Sequence, residues 1–226
     1  DTTELVHIGF GTMNGKDGKP FKTRDGGVMR LEYLLKEIDD EMLNKIKENQ
    51  KEKENLNIDE AEAEQTAKTV ALAAVKYGDL SNQASKDYIF DIDRFTSFEG
   101  NTGPYILYTI VRIKSILSKY EAKGGNISAL KDAIMPAVNA GQKNLMLSLA
   151  KFNATIESAY EESAPHKICA YIYVHANAFN GFYHDTKILS EENEELKKSY
   201  ISLLVLTKEI LEACIDMLGF SAPDRM

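Results

Sequence analysis

Cysteine, proline and long apolar runs are all scarce in this 226-residue chain, and each scarcity removes a class of protein. Only Cys169 and Cys214 are available for disulfides or thiolate ligation, and both lie among apolar residues of predicted helices. They read as buried, reduced thiols of a cytoplasmic protein, and no metal site follows from them. The longest run without Asp, Glu, Lys or Arg, Ile168 to His184, is interrupted by Asn177, Asn180 and Gly181. It falls short of the ~20 apolar residues a bilayer span requires, so no membrane association is expected. No stretch resembles a signal peptide. With five prolines, no low-complexity tract and ordinary hydrophobic content, the chain is expected to fold as a globular protein.

Charge is present but unevenly placed. The net charge is -8. Residues 37–100 hold 8 Lys/Arg against 16 Asp/Glu, whereas residues 101–156 hold 7 against 2. One region of an acidic protein is therefore basic, which is where an anionic partner would be sought.

Periodicity divides the chain into a mixed start and a helical remainder. "ELVHIGFGTM", residues 4–13, reads as a strand with a close backbone approach. The glycine-rich "NGKDGKPFKTRDGG", residues 14–27, reads as a loop. Leu31, Leu34, Leu35, Ile38, Met42 and Ile46 recur at helical spacing, and this helix is expected to fray into the charged run at 48–58. Asp59 and Glu62 look like a capping box, with Gly78 as the matching stop. A short strand is expected around Tyr88 to Ile92. Pro104 opens a helix that closes on Gly124 and Gly125. Further helices are expected near 128–136, 139–161, 165–182 and 190–218, the last stopped by Gly219, and together they make a bundle.

Two segments carry chemistry. Lys19, Lys22 and Thr23 in the glycine-bounded loop can surround a polyphosphate with two ammonium groups and a hydroxyl, although a soluble surface loop has the same composition. On the helix after Pro104, Tyr105, Tyr108 and Arg112 share one face while Ile106, Ile110, Ile113 and Leu117 share another. Rings interleaved with a cation suit unpaired RNA bases. Tyrosines covering the edge of a core would show the same spacing. Lys114, Lys119, Lys123, Lys143 and Lys151 could follow phosphates or simply be solvated. Phe179, Phe182, Tyr183 and His184 read as bundle core, and His166 and His175 as structural or solvated.

Lys19-Pro20-Phe21-Lys22-Thr23 matches the KMSKS loop of class I aminoacyl-tRNA synthetases in its charged and hydroxyl members. The wider "VHIGFGTMNGKDGKPFKTRDGGVMRLEYLLKE" resembles the end of the catalytic domain of arginyl-tRNA synthetases, whose loop typically reads FKTR. The stretch from Val70 to Ile113, including NTGPY, resembles that family's entry into its helical anticodon-binding DALR domain. "LGFSAPDRM" is similar to the family's ending. His7-Ile8-Gly9-Phe10 nearly spells HIGH, but that tetrad belongs far upstream in the family.

The resemblance implies a mainly α fold: a helical bundle that binds the anticodon, preceded by the α/β tail of a class I Rossmann catalytic domain. It divides the chain into 1–58, with the lysine loop and a linker helix, a connecting stem at 59–100, and the anticodon-binding domain at 101–226. It implies a piece of an arginine–tRNA ligase that uses ATP and Mg2+ to join arginine to tRNA(Arg), inactive without the HIGH-bearing half and expected to be a monomer. It assigns Lys19, Lys22 and Thr23 to catalysis. His7, Gly9, Lys22 and Arg24 would border ATP, a core histidine being the other reading of His7. Tyr105, Tyr108, Arg112 and Met226 would contact the anticodon loop. The competing reading is a non-catalytic helical module for RNA or protein binding.

Overall fold

The computed structural model describes residues 3, 5–20, 31–52, 59–130 and 133–226, without the side chains of 31, 33, 34 and 49–52. Its order is β1 (Met13–Asn14), α1 (Leu31–Glu52), α2 (Glu60–Leu80), β2 (Tyr88–Ile89), α3 (Ile92–Phe95), α4 (Gly103–Ala122), α5 (Ala140–Leu149), α6 (Phe152–Glu161), α7 (Pro165–Asp185) and α8 (Glu194–Met217). Single 3-10 turns lie at Ile127–Ala129 and Ile188–Ser190. The mainly helical architecture agrees with the pattern read from the sequence.

Local chemistry sets most helix ends. Asp59 sits in extended backbone and its Oδ1 accepts the Glu62 N–H at 2.8 Å, satisfying one of the orphan donors of α2. Gly124 and Gly219 adopt φ of 87° and 79° just beyond α4 and α8, the left-handed stop that glycine permits. Gly78 does something else. The helix runs through it to Leu80, and a Cβ there would lie 2.4 Å from the Phe95 ring, so this glycine makes room for packing rather than ending α2. Asn193, not Ser190, caps α8, accepting the N–H groups of Glu195 and Leu196.

Two other expected helices differ. Residues 127–129 form one 3-10 turn and 133–137 have no regular structure, with residues 131 and 132 outside the described set. Pro136 has no N–H and disfavours helix before it, while Ser199 Oγ accepts the Met135 N–H and Ser202 Oγ donates to the Leu130 carbonyl. The stretch 139–161 is two helices, α5 and α6, separated at Ala150–Lys151. Both residues keep helix-like dihedrals, so the apolar rhythm runs on across the break.

The expected strand over 4–13 shrinks to two residues. Met13 and Asn14 pair in parallel with Tyr88 and Ile89. Gly11 and Thr12 anchor the approach, Gly11 N–H to the Ala84 carbonyl at 2.7 Å and Thr12 N–H to Asp87 Oδ1 at 2.6 Å. Residues 5–10 have no regular structure, and Leu5 and Phe10 are 92% and 89% exposed. A strand takes its hydrogen bonds from neighbours, and among the described residues none flanks this segment.

The core lies between α4, α7 and α8. Ile106, Leu107, Ile110 and Ile113 of α4, Ile172, Phe179 and Phe182 of α7, and Ile201, Leu203, Leu204 and Leu211 of α8 are fully buried. Each such side chain contributes about 1.5–3 kcal/mol of transfer free energy. Helix α2 forms the bridge to the other half, packing on Ile38, Met42 and Ile46 of α1 and on α4. A Cβ on Gly103 would lie 2.3 Å from the Ala73 carbonyl oxygen, so α2 and α4 touch at their backbones. Tyr77 Oη reinforces this joint by contacting Asn101 Oδ1 at 2.5 Å and the Cys169 carbonyl at 2.9 Å.

Candidate nucleic-acid interface

The start of α4 sets the phase of the whole helix. Thr102 is its N-cap: Oγ1 accepts the Tyr105 N–H at 3.2 Å and donates to the Ser97 carbonyl at 2.6 Å, and Pro104 occupies the first turn. With that phase Ile106, Ile110 and Ile113 point inward and Tyr105, Tyr108 and Arg112 are left half-buried on the surface.

Helix α7 supplies the second wall. The Tyr105 ring meets Tyr173 edge-on, with centroids 5.8 Å apart. Its hydroxyl donates to Asn177 Oδ1 at 2.5 Å and accepts from Asn180 Nδ2 at 2.9 Å. Asn180 Oδ1 in turn accepts from Arg112 Nη1 at 2.6 Å. The guanidinium lies 4.6 Å from the Tyr108 ring centroid and 5.4 Å from that of Tyr183. Arg112 is thus held near two aromatic rings by a hydrogen-bonded amide, with cation–π attraction to both. The surface presents aromatic rings, a fixed cation and the exposed Asn177 amide, which is the chemistry unpaired nucleotides require.

Tyr105, Tyr108 and Arg112 are therefore brought together. Tyr183, read from the sequence as core along with Phe179, Phe182 and His184, is a correction. Phe179 and Phe182 are fully buried, but Tyr183 stacks on the outer side of Phe179 at 5.9 Å and is 41% exposed. His184 is exposed too, beside Asp185. The signal that was available is the series Tyr173, Asn177, Asn180: polar groups at helical spacing cannot all face an apolar core. Lys114 also departs from the phosphate-following reading. Its Nζ is held by the carbonyls of Ala222 and Pro223, Asp224 Oδ1 at 3.1 Å and Glu212 Oε1 at 3.6 Å. Lys119, Lys123, Lys143 and Lys151 are exposed. Met226 ends the anchored segment, half-buried against the core.

The lysine-bearing loop is described only in part. Lys16 Nζ reaches Asp93 Oδ2 at 2.6 Å and Asp91 Oδ1 at 3.1 Å, tying the turn at 15–19 to the stem. Lys19 is exposed, and the Gly15 N–H donates to its carbonyl. Lys22, Thr23 and Arg24 lie outside the described residues. His7 is exposed among the described residues, and a Cβ on Gly9 would meet nothing within 4 Å. Among the described residues no three His, Cys, Asp or Glu side chains gather as metal ligands, so no residue is assigned to Mg2+.

Elsewhere one histidine and both cysteines are packed into the core. His175 is fully buried, 2.6 Å from Ser148 Oγ through Nδ1 and stacked on Tyr171. Burial pulls its pKa down to about 4, opposed in part by the Thr207 backbone. Cys169 and Cys214 are free and buried, and burial pushes both thiols up to about 12, which keeps them protonated.

Comparison with known proteins bears on this geometry directly. Residues 106–226 match the model of the DALR anticodon-binding domain, and residues 1–92 match that of the class I (R) tRNA synthetase catalytic domain. The chain belongs to the arginyl-tRNA synthetase family. It is 99% identical over all 226 residues to the arginine–tRNA ligase of Agathobacter rectalis, and 54% identical over 98% of its length to that of Alkaliphilus oremlandii. It spans 38% and 36% of those curated relatives. Among solved structures, arginyl-tRNA synthetase of Thermus thermophilus superposes with a TM-score of 0.79 at 25% identity, covering 97% of this chain and 35% of its own. The Plasmodium falciparum enzyme gives 0.74 at 27% identity, covering 88% and 34%. Within the described residues no helix is long and apolar enough to cross a membrane.

Proposed function

We propose that this chain provides the anticodon-binding part and the lysine loop of an arginine–tRNA ligase, a monomer of the cytoplasm that attaches arginine to tRNA(Arg) at the expense of ATP. The observation that carries the reading is the Tyr108–Arg112–Tyr183 cluster beside Tyr105, aromatic rings with a fixed cation on the face that α4 and α7 share. Unpaired anticodon bases would stack on Tyr105 and Tyr108, Arg112 would meet phosphate or a base edge, and Met226 would add an apolar contact. Residues 1–58 then belong to the catalytic side, 59–100 to the stem and 101–226 to the anticodon-binding domain.

In the lysine loop, two ammonium groups three residues apart and a hydroxyl form a donor set suited to a triphosphate. Lys19, Lys22 and Thr23 would hold it, with Arg24, His7 and Gly9 alongside. ATP supplies the activated phosphorus that arginine's carboxylate attacks. The part of these residues is electrostatic: they offset charge that grows on the departing pyrophosphate, which stabilises the transition state more than the ground state.

Titration of the 226-residue chain with an arginine-accepting anticodon stem-loop tests the reading. Tyr105→Ala/Tyr108→Ala is expected to weaken binding about thirty-fold, from at least ~1 kcal/mol of stacking lost per ring. Equal affinity for wild type and double variant would overturn it. The same chain is expected to give no ATP–pyrophosphate exchange.

A further inference from the structure

Residues 219–226 have no regular secondary structure, yet they are tied down at three places by two different helices. Lys76 of α2 donates to the Gly219 carbonyl at 2.5 Å. Lys114 of α4 holds the carbonyls of Ala222 and Pro223 and the carboxylate of Asp224. Arg225 closes on Glu62 of α2 in a two-pronged pair, Nε to Oε1 and Nη2 to Oε2, both at 2.5 Å. A guanidinium meeting a carboxylate through two parallel bonds fixes orientation as well as distance.

The spacing of these anchors defines the path. Glu62 and Lys76 are separated by fourteen helical residues, about 21 Å at 1.5 Å of rise each. Gly219 and Arg225 are six residues apart, about 20–22 Å when fully extended. The order of the anchors, Lys76 with Gly219 and Glu62 with Arg225, makes the segment run along α2 antiparallel to it, with Lys114 gripping its middle from α4. Helix α2 also packs on α1, which follows the lysine loop, while α4 carries Tyr105, Tyr108 and Arg112. A short chain bound to both helices resists their rotation about the Gly103–Ala73 contact.

We infer that segment 219–226 is a strap that fixes the angle between the stem helix α2 and the anticodon-side helix α4, with Arg225 and Glu62 as positioning residues. The inference rests on the proposed anticodon role of α4 and adds to it a means of holding that surface at a set angle to the lysine-loop side. The strap does not itself touch the anticodon hairpin through Arg225. A hairpin presents one end of the tRNA and is indifferent to the angle, whereas intact tRNA must reach both ends of the ligase at once.

Three measurements separate the strap from its alternatives. In the 226-residue chain, Glu62→Gln and Arg225→Ala are expected to change hairpin affinity equally, since either one loosens the Met226 that follows, and to raise the ps–ns backbone mobility of residues 224–226 in 15N relaxation. In the intact ligase bearing this segment, both should lower kcat/KM for whole tRNA about three- to five-fold, the scale of one exposed ion pair. The exchanged pair Glu62→Arg/Arg225→Glu should restore it, which a direct RNA contact by Arg225 would not allow. Hairpin affinity that falls with Arg225→Ala and not with Glu62→Gln would overturn the strap and make Arg225 an RNA ligand. Unchanged kcat/KM in both variants, or no rescue by the exchange, would also overturn it. A wild-type chain that fails to bind the hairpin would instead sink the anticodon reading, and the exchange arm would still report on the strap.

Discussion

Residues 5–10 and helix α4 are both rich in large apolar side chains, but one segment lies open to solvent and the other is buried along a whole face. The difference is where each finds its hydrogen bonds. A helix closes its ladder within its own twenty residues and then needs only one packed stripe, which α7 and α8 supply. A strand has to borrow donors and acceptors from neighbouring strands, and to residues 5–10 none of the described residues lends them. Hydrophobicity alone did not decide burial. Partners did.

The contrast predicts unequal responses to equal insults. Phe182→Ala should destabilise the 226-residue chain by about 3–5 kcal/mol in denaturant titration, because a fully buried ring leaves a cavity between α7 and α8. Leu5→Ala, at a side chain 92% exposed, should stay within about 0.5 kcal/mol. Comparable losses would mean that residues 5–10 are packed after all.

Acid should find the bundle next. His175 has a folded-state pKa of about 4 against 6.5 for the free side chain, so the folded chain disfavours its proton. The associated stability is present above pH 6.5 and is lost as the pH falls from there toward 4, by about 3 kcal/mol at most. Urea titrations across that window should show the decline, and His175→Asn should flatten it. An identical acid slope in the variant would remove His175 from the account.

The smallest effect belongs to the pinned turn. Lys16→Ala removes contacts from an exposed lysine to the half-buried Asp91 and the exposed Asp93, so global stability should hardly change. Local opening should. Exchange of the Tyr88 and Phe90 amides, which donate to the Thr12 and Asn14 carbonyls, should accelerate, and 1 M salt should have a similar effect on the wild type by screening the pair. Unaltered exchange would show that the two-residue ladder holds the turn without Lys16.

What could be read in advance follows the same division. Asp59, Pro104, Gly124 and Gly219 act through their own backbone, so their effect on helix ends is visible in the sequence. Gly78 was misread because its reason is Phe95, seventeen residues away in the chain and in contact only after folding. The break at Ala150–Lys151 was invisible because both residues stay close to helical dihedrals and the apolar rhythm is not interrupted. In the candidate site, Tyr105, Tyr108 and Arg112 share one helix and could be grouped by spacing. Tyr183, Asn177 and Asn180 come from α7, and no periodicity says which faces of two helices will meet. Lys114 was misassigned for the same reason, since its partners lie about a hundred residues further on.

One contact in the middle of the molecule limits what substitution can do. Where Gly103 meets the Ala73 carbonyl, the gap admits a hydrogen and nothing larger, and every other amino acid carries a carbon there. No replacement at residue 103 can be silent: whichever residue arrives has to lever the two rods apart, moving the face of Tyr105, Tyr108 and Arg112 relative to α2 and α1. The position works as a bearing whose clearance is set by one missing methyl group.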